Sequence, residues 1–349
     1  MKNTFIILLL IAVFGLGSYI VYDKSNENQL APVTKKEMAD APQSEIKQVT
    51  PKFKVRTFDI PNDLTFAGEK VPINQTDIKE RLDREIHVNT YWNSSTVFVI
   101  KRAHRWFPLI TPILKKHGIP DDFKYLAVIE SSLTNAVSPA KAVGFWQILS
   151  RTAKEGGLEV NQEVDERYNP LKAMEVTCQY LKEAHRKFGN WTDAAASYNL
   201  GMAGLANRFE KQQVHSYYDL LLNEETSRYI LRAVALKEIM ENPKKYGYDI
   251  PEERLYTTRE TKEIKVKHNI SDLVRFSKSL GINYKILKLY NPWLRQNQLT
   301  IKKRGKVYTI TVPKEVPDAL IAKANRSTAK TKGKLFAPQD LQTLNVSPE

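Results

Sequence analysis

From residue 77 to residue 245 the chain shows almost no period-2 alternation, while apolar side chains recur at helical spacing in one segment after another. That pattern confines the stretch to a compact, nearly all-α domain with short loops. Asp77 to Trp92 is amphipathic, with Ile78, Leu82, Ile86 and Val88 as its apolar positions. Ser94 and Ser95 are suited to cap a second helix, which Pro108 and Pro112 are expected to kink or interrupt before Gly118. Ser150 or Thr152 starts a short helix that stops at Gly156 and Gly157. Asn169 and Pro170 open the next, whose stripe is Leu171, Met174, Cys178, Leu181 and His185. Trp191 to Tyr198 and Glu224 to Met240 complete the set, the latter carrying Tyr229, Val234 and Ile239 among its apolar positions.

One helix in this series breaks the pattern. Pro120, Asp121 and Asp122 signal its start, and Phe123, Leu126, Ala127 and Glu130 then fall at i, i+3, i+4 and i+7, on one face. A glutamate therefore occupies a position that calls for a core side chain. Burying an ionised carboxylate is costly, and protonation with a raised pKa relieves it. A carboxylic acid still neutral near pH 7 is what general-acid catalysis requires. Two other readings of the helix stand beside this one: a glutamate paired with Arg or Lys, and one turned to solvent at the helix end.

The 349 residues suggest two domains with unstructured ends, and the hydrophobic share of 42% makes the bulk globular. Phe5 to Tyr22 carries no charge over 18 residues, long enough to span a bilayer core, with Lys2 before it and Asp23-Lys24 after. Segment 1–22 reads as an uncleaved membrane anchor, with a cleavable signal as the alternative, and either one exports the rest of the chain. Residues 23–56, polar and rich in Pro, Lys and Gln, read as a flexible tether. The single cysteine, Cys178, excludes an internal disulfide, and the six histidines show no ligand spacing, so neither a metal nor another cofactor is expected. A formal net charge of +14 favours an anionic partner, or else reflects a lysine-rich solvated surface. No basic segment carries the run of stacking aromatics that nucleic-acid binding would need. The sequence is silent on oligomeric state.

After Pro251 the pattern changes. Glu263 to Val266 alternates like a strand, Ser271 caps a helix over 272–279 that Gly281 ends, Tyr284 to Tyr290 is a second helix, and Val307 to Val312 a second strand. The expected order is thus an N-terminal helical extension at 57–117, a main helical domain at 118–245, a linker at 246–262, a βααβ module at 263–313, and a basic disordered tail at 314–349.

The ordered short motifs are more specific than any one helix. Glu130-Ser131, Ser138-Pro139, Gly144-Phe145-Trp146-Gln147, Ala196-Ser197-Tyr198-Asn199 and Glu225-Thr226 followed by Tyr229 occur in that sequence. Over roughly 65–245 the chain resembles the Slt-type lytic murein transglycosylases, and among them the membrane-bound transglycosylase D group. The resemblance implies a mainly α, goose-lysozyme-like catalytic fold acting on peptidoglycan glycan strands. It also implies roles. Glu130 corresponds to the sole acid/base, and Ser138 to a serine near the reacting sugar that bonds the acid or the muramyl group. Gln147 corresponds to a cleft glutamine that binds an N-acetylated sugar, Tyr198 and Asn199 to the opposing wall, and Tyr229 to a tyrosine whose hydroxyl approaches the acid. Two departures stand out: Phe145-Trp146 replaces the usual Leu-Met, and Ser197 replaces an alanine, which bears on subsite shape. The C-terminal unit resembles a LysM module, but His268-Asn269-Ile270 replaces that family's Gly-Asp-Thr-Leu turn, so glycan binding and a purely structural role both stay open.

Carboxylate spacing supports the lone-acid reading independently. Glycoside hydrolases generally use two carboxylates about 5–9.5 Å apart. Between Glu130 and Glu155 lie 24 residues without an Asp or Glu. One carboxyl suffices for a simpler reaction, and the resemblance implies which: the acid protonates the glycosidic oxygen, then accepts the proton of the muramyl 6-hydroxyl as a 1,6-anhydro ring closes. Two alternatives remain. One is a hydrolytic muramidase using Glu155, Glu163, Asp165 or Asp193 as second carboxylate; the other is a non-catalytic wall-binding protein.

Overall fold

A computed structural model describes residues 55–330, with side chains to Ala324. The apolar segment 5–22 and the tether to residue 54 lie outside the described residues, within which no helix is long and apolar enough to cross a membrane. A two-residue hairpin, β1 (Thr65–Phe66) and β2 (Glu69–Lys70), precedes the helices. The sequence pattern did not reveal it, because its strands are too short to alternate. Its turn residues, Ala67 and Gly68, both adopt positive φ, the geometry of a tight hairpin turn. The hairpin's Glu69 carboxylate accepts the N–H groups of Trp191 (2.5 Å) and Thr192 (2.8 Å), orphan donors at a helix start.

The helices follow closely on one another. α1 is Thr76–Tyr91 and α2 is Asn93–Lys116, which runs through Pro108 and Pro112 without a break. The expected cap at Ser94 and Ser95 falls inside α2 instead, Trp92 being the residue between the two helices. α3 (Lys124–Ser131) follows a 3-10 turn at Asp121–Phe123, and α4 is Ser150–Glu155. α5 (Pro170–Phe188) is capped by the Asn169 side chain and α6 (Trp191–Leu200) by Asn190. α7 (Met202–Gln212) was not expected from sequence, although Leu205 is fully buried and Phe209, one turn on, packs against the core at helical spacing. The expected helix at 224–240 is two, α8 (Glu224–Ser227) and α9 (Tyr229–Glu241). At the joint the Thr226 carbonyl accepts the Tyr217 hydroxyl at 2.7 Å.

α9 organises the core. Ile230, Leu231, Ala233, Val234, Ala235, Leu236 and Ile239 are all buried, so it is apolar nearly all round, as a helix enclosed by others must be. It packs on α1, α3 and α6, while α5 packs on α6 and α2.

The C-terminal module has its own core, built on Ile264, Phe276, Leu287, Trp293 and Ile310. β3 (Thr261–Val266) pairs antiparallel with β4 (Tyr308–Pro313), and α10 (Leu273–Ser279) and α11 (Tyr284–Tyr290) lie between them in sequence. Asp272, rather than Ser271, caps α10. The tail expected to be disordered from 314 is helical at first: α12 spans Asp318–Lys330, and Val316 and Ala324 are buried in the module core. Those apolar residues give the segment an amphipathic face that its charge count conceals.

Candidate active site

Glu130 lies in the last turn of α3, where the chain leaves the helix through two left-handed residues, Ser132 (φ 54°) and Leu133 (φ 57°). Its neighbour Ser131 is buried and donates to the Phe145 carbonyl at 2.9 Å, tying the helix end to the loop over 136–148. The Tyr229 hydroxyl, in the first turn of α9, donates to Glu130 Oε1 at 2.5 Å. Burial pushes the Glu130 carboxyl up to about 7; the Tyr229 bond and the Arg232 charge oppose the shift, and Glu225 adds to it. Glu130 is nonetheless only partly buried by area, so its carboxyl is largely desolvated but reachable. The Tyr229 hydroxyl is driven well above its ordinary value, chiefly by burial and then by the Glu130 charge, so it stays a donor.

The Gly144-Phe145-Trp146-Gln147 turn forms the next wall, and its groups are held one by one. Gly144 has φ 85°, and a Cβ there would lie 2.1 Å from the Arg167 carbonyl oxygen, so only glycine fits. Gln147 sits at φ 46°, and its amide nitrogen donates to the carbonyls of Gly144 (2.8 Å) and Ala136 (3.1 Å). That leaves its amide oxygen as the group able to receive a donor from the cleft. Tyr198 on α6 donates to the Trp146 carbonyl at 2.7 Å and meets the Thr177 hydroxyl at 3.2 Å. Burial and the Glu130 charge both raise the Tyr198 pKa, so this phenol also stays protonated.

The sequence-nominated residues do not all meet. Tyr229 touches Glu130, and Tyr198 and Gln147 brace the facing loop. Ser138 is not joined to Glu130; its oxygen accepts the Ala142 N–H at 3.0 Å within its own turn. Among the described residues no group holds the Asn199 side chain, which is partly exposed at the end of α6. The two departures from the family pattern are interior: Phe145, Trp146 and Ser197 are all buried, and Ser197 donates to the Ala194 carbonyl at 2.7 Å.

Two residues that bear on the site, Arg232 and Arg167, were not singled out from sequence, whereas Glu225 stands in the motif series. Arg232 lies one turn beyond Tyr229 and lowers the Glu130 pKa; an arginine among the apolar residues 230–236 was the available signal. Exposed Glu225 raises that pKa. Arg167 is buried, grips both oxygens of Asp165 (2.9 and 2.7 Å) and donates to the carbonyls of Lys141 and Ile148 at 3.1 Å. Nothing in its local sequence marks this role, because the two carbonyls it holds lie 19 and 26 residues away.

The carboxylates nominated as a second catalytic acid are engaged elsewhere. Glu155 pairs with Arg151 on the surface at 2.8 Å. Glu163 accepts the Thr300 N–H at 2.8 Å and the Gln298 amide at 2.9 Å. Asp165 is held by Arg167, and buried Asp193 accepts the Tyr217 N–H at 3.0 Å and the Asn190 amide at 2.7 Å.

Residues 109–220 match the family model of the transglycosylase SLT domain, and residues 262–316 that of the soluble lytic transglycosylase C-terminal LysM-like domain. Membrane-bound lytic murein transglycosylase D of Escherichia coli (strain K12) is 26% identical over 266 residues, covering 73% of this chain and 56% of the relative. The same protein from Escherichia coli O6:H1 matches equally. The chain thus spans little more than half the length of these relatives.

Proposed function

We propose, for a chain that carries an SLT transglycosylase domain followed by a LysM-like module, a lytic transglycosylase that cleaves murein without water. The observation that carries this reading is a single carboxyl, Glu130, held protonated to about pH 7 and bonded to the Tyr229 hydroxyl, while the other nominated acids are bound away from it.

In the reaction, Glu130 gives its proton to the β-1,4 glycosidic oxygen between N-acetylmuramic acid and N-acetylglucosamine as the C1–O bond breaks. Tyr229 donates to Oε1, so Oε2 is the oxygen free to deliver the proton. The carboxylate left behind then removes the proton of the muramyl 6-hydroxyl, whose oxygen closes on C1. One bond forms for the one that breaks, and Glu130 returns protonated. The pKa near 7 suits both halves, because a group poised there is neither too weak an acid nor too weak a base. Developing positive charge at C1 is met by nearby dipoles, including the substrate's own N-acetyl oxygen. Gln147 and Asn199 are the side chains with polar groups left for the sugars, and Ser138 contributes its hydroxyl proton. The proposed substrate and the SLT domain support a location at the cell envelope, with segment 1–22 as the proposed membrane anchor.

One observation favours a second reading. Glu225 is exposed and near enough to act on the Glu130 charge, so it is the carboxylate left for a hydrolytic, two-acid mechanism. Mass spectrometry of digested murein separates the two. 1,6-Anhydromuramyl ends are expected; reducing muramyl ends from wild type, lost in Glu225→Gln, would establish the hydrolase instead.

A further inference from the structure

The loop over 159–168 lies between two parts of the molecule that the sequence treats as separate, and it is bonded to both. On one side it belongs to the module. Val164 is buried in the module's core and pairs with Leu294 in an isolated antiparallel bridge. The Asp165 N–H donates to the Trp293 carbonyl at 2.9 Å, and the Arg295 N–H to the Glu163 carbonyl at 2.7 Å. The Glu163 carboxylate takes the Thr300 N–H, as described above. On the other side, the Asp165 carboxylate fixes the Arg167 guanidinium, and Arg167 holds the two ends of the Gly144 turn through the Lys141 and Ile148 carbonyls. The Arg167 carbonyl fills the space that a Gly144 side chain would need.

We infer that Arg167 is a positioning residue through which the LysM-like module sets the shape of the sugar-facing loop, so that the module is a working part of the active site. The physical reason is that each link is buried or directional. Without the module's carbonyl and N–H groups, Val164 would face water and the Asp165 N–H would lose its acceptor, both unfavourable. Asp165 would then be free to turn, and a buried arginine whose carboxylate has shifted cannot keep two further carbonyls in line. The loop that carries Gln147 would widen, while Glu130, held by α3 and Tyr229, would stay in place.

For the reaction proposed above, this means that damage at the module contact weakens substrate binding more than it slows the chemical step. The test uses full-length Glu163→Ala, a substitution outside the catalytic and sugar-binding residues. Hydrogen exchange is expected to quicken about tenfold at the Gly144 and Ile148 amides, with α1 and α2 unchanged. KM for murein should rise severalfold with kcat within about twofold. Glu163→Gln, which keeps an acceptor for the Thr300 N–H, should restore most of both. Arg167→Lys should reproduce the loop's faster exchange without disturbing the module. Unchanged exchange over 136–148 in Glu163→Ala, or a uniform acceleration across all helices, would overturn the inference. The exchange readout needs no substrate, so its result stands whether or not the protein proves to be a transglycosylase.

Discussion

Two glutamates of this protein, Glu85 on α1 and Glu130 on α3, sit on helix faces that point inward, and the structure treats them oppositely. Glu85 is fully buried, and its Oε1 is gripped by Arg228 Nε at 2.5 Å and Arg84 Nη1 at 2.9 Å, with Asn89 at 3.4 Å from the other oxygen. Glu130 has no cation within hydrogen-bond reach among the described residues and one donor, a phenol that cannot neutralise it. The first is a charge compensated in place and serves the fold. The second is desolvated with no ion-pair partner in contact and keeps a proton to near neutrality. An inward-facing carboxylate is therefore not itself a catalytic signal; what faces it decides.

The largest effect should come from removing the uncompensated acid. Glu130→Gln is expected to lower murein cleavage by at least about a thousandfold, checked by release of anhydromuropeptides. It should also stabilise the fold at alkaline pH. The folded carboxyl titrates near 7 rather than 4.5, so the native state holds the additional proton between those values, and wild-type stability falls as pH rises through that window. Thermal unfolding should show variant and wild type alike at pH 4, with the variant more stable at pH 8 by up to about 3 kcal/mol. Glu85→Ala should do the reverse. It leaves the Arg228 charge without its main partner and should cost about 2–4 kcal/mol in denaturant unfolding, while the pH dependence of residual activity keeps its shape.

A smaller change should come from Tyr229→Phe. The lost bond favoured the charged form of Glu130, so the alkaline limb of kcat/KM should move to higher pH, with the rate at the optimum down about tenfold. Glu225→Gln should shift the same limb slightly downward, because a like charge is removed, and change the rate less than about threefold. If Tyr229→Phe left the limb in place, Glu130 would not be the group that titrates in catalysis.

The helical architecture was legible because its cause is local. Apolar spacing, the Asn169 cap and the glycine at 281 act within one or two turns, so a linear string carries them. The signal was short or cancelled at the β1–β2 hairpin and over 316–330, where basic residues mask Val316 and Ala324. α7 does carry the spacing, in Leu205 and Phe209. The site was half legible. Glu130, Gln147, Tyr198 and Tyr229 were reached through motif order, whereas Arg167 and Arg232 act on partners set by how α9 and the 159–168 loop pack.

The sequence by itself determined that a glutamate would stand at a core position near the end of a helix, that no acid follows it for 24 residues, and that a glycine-bounded turn comes next. Only the tertiary structure decided that Glu85 receives the arginines and Glu130 does not, and that the module's loop reaches the Gly144 turn through Asp165 and Arg167. Propensity and spacing are properties of neighbours in the chain. The pKa of a carboxyl depends on the solvent excluded and the charges brought near by residues far away in sequence, and those distances exist only once the chain has folded.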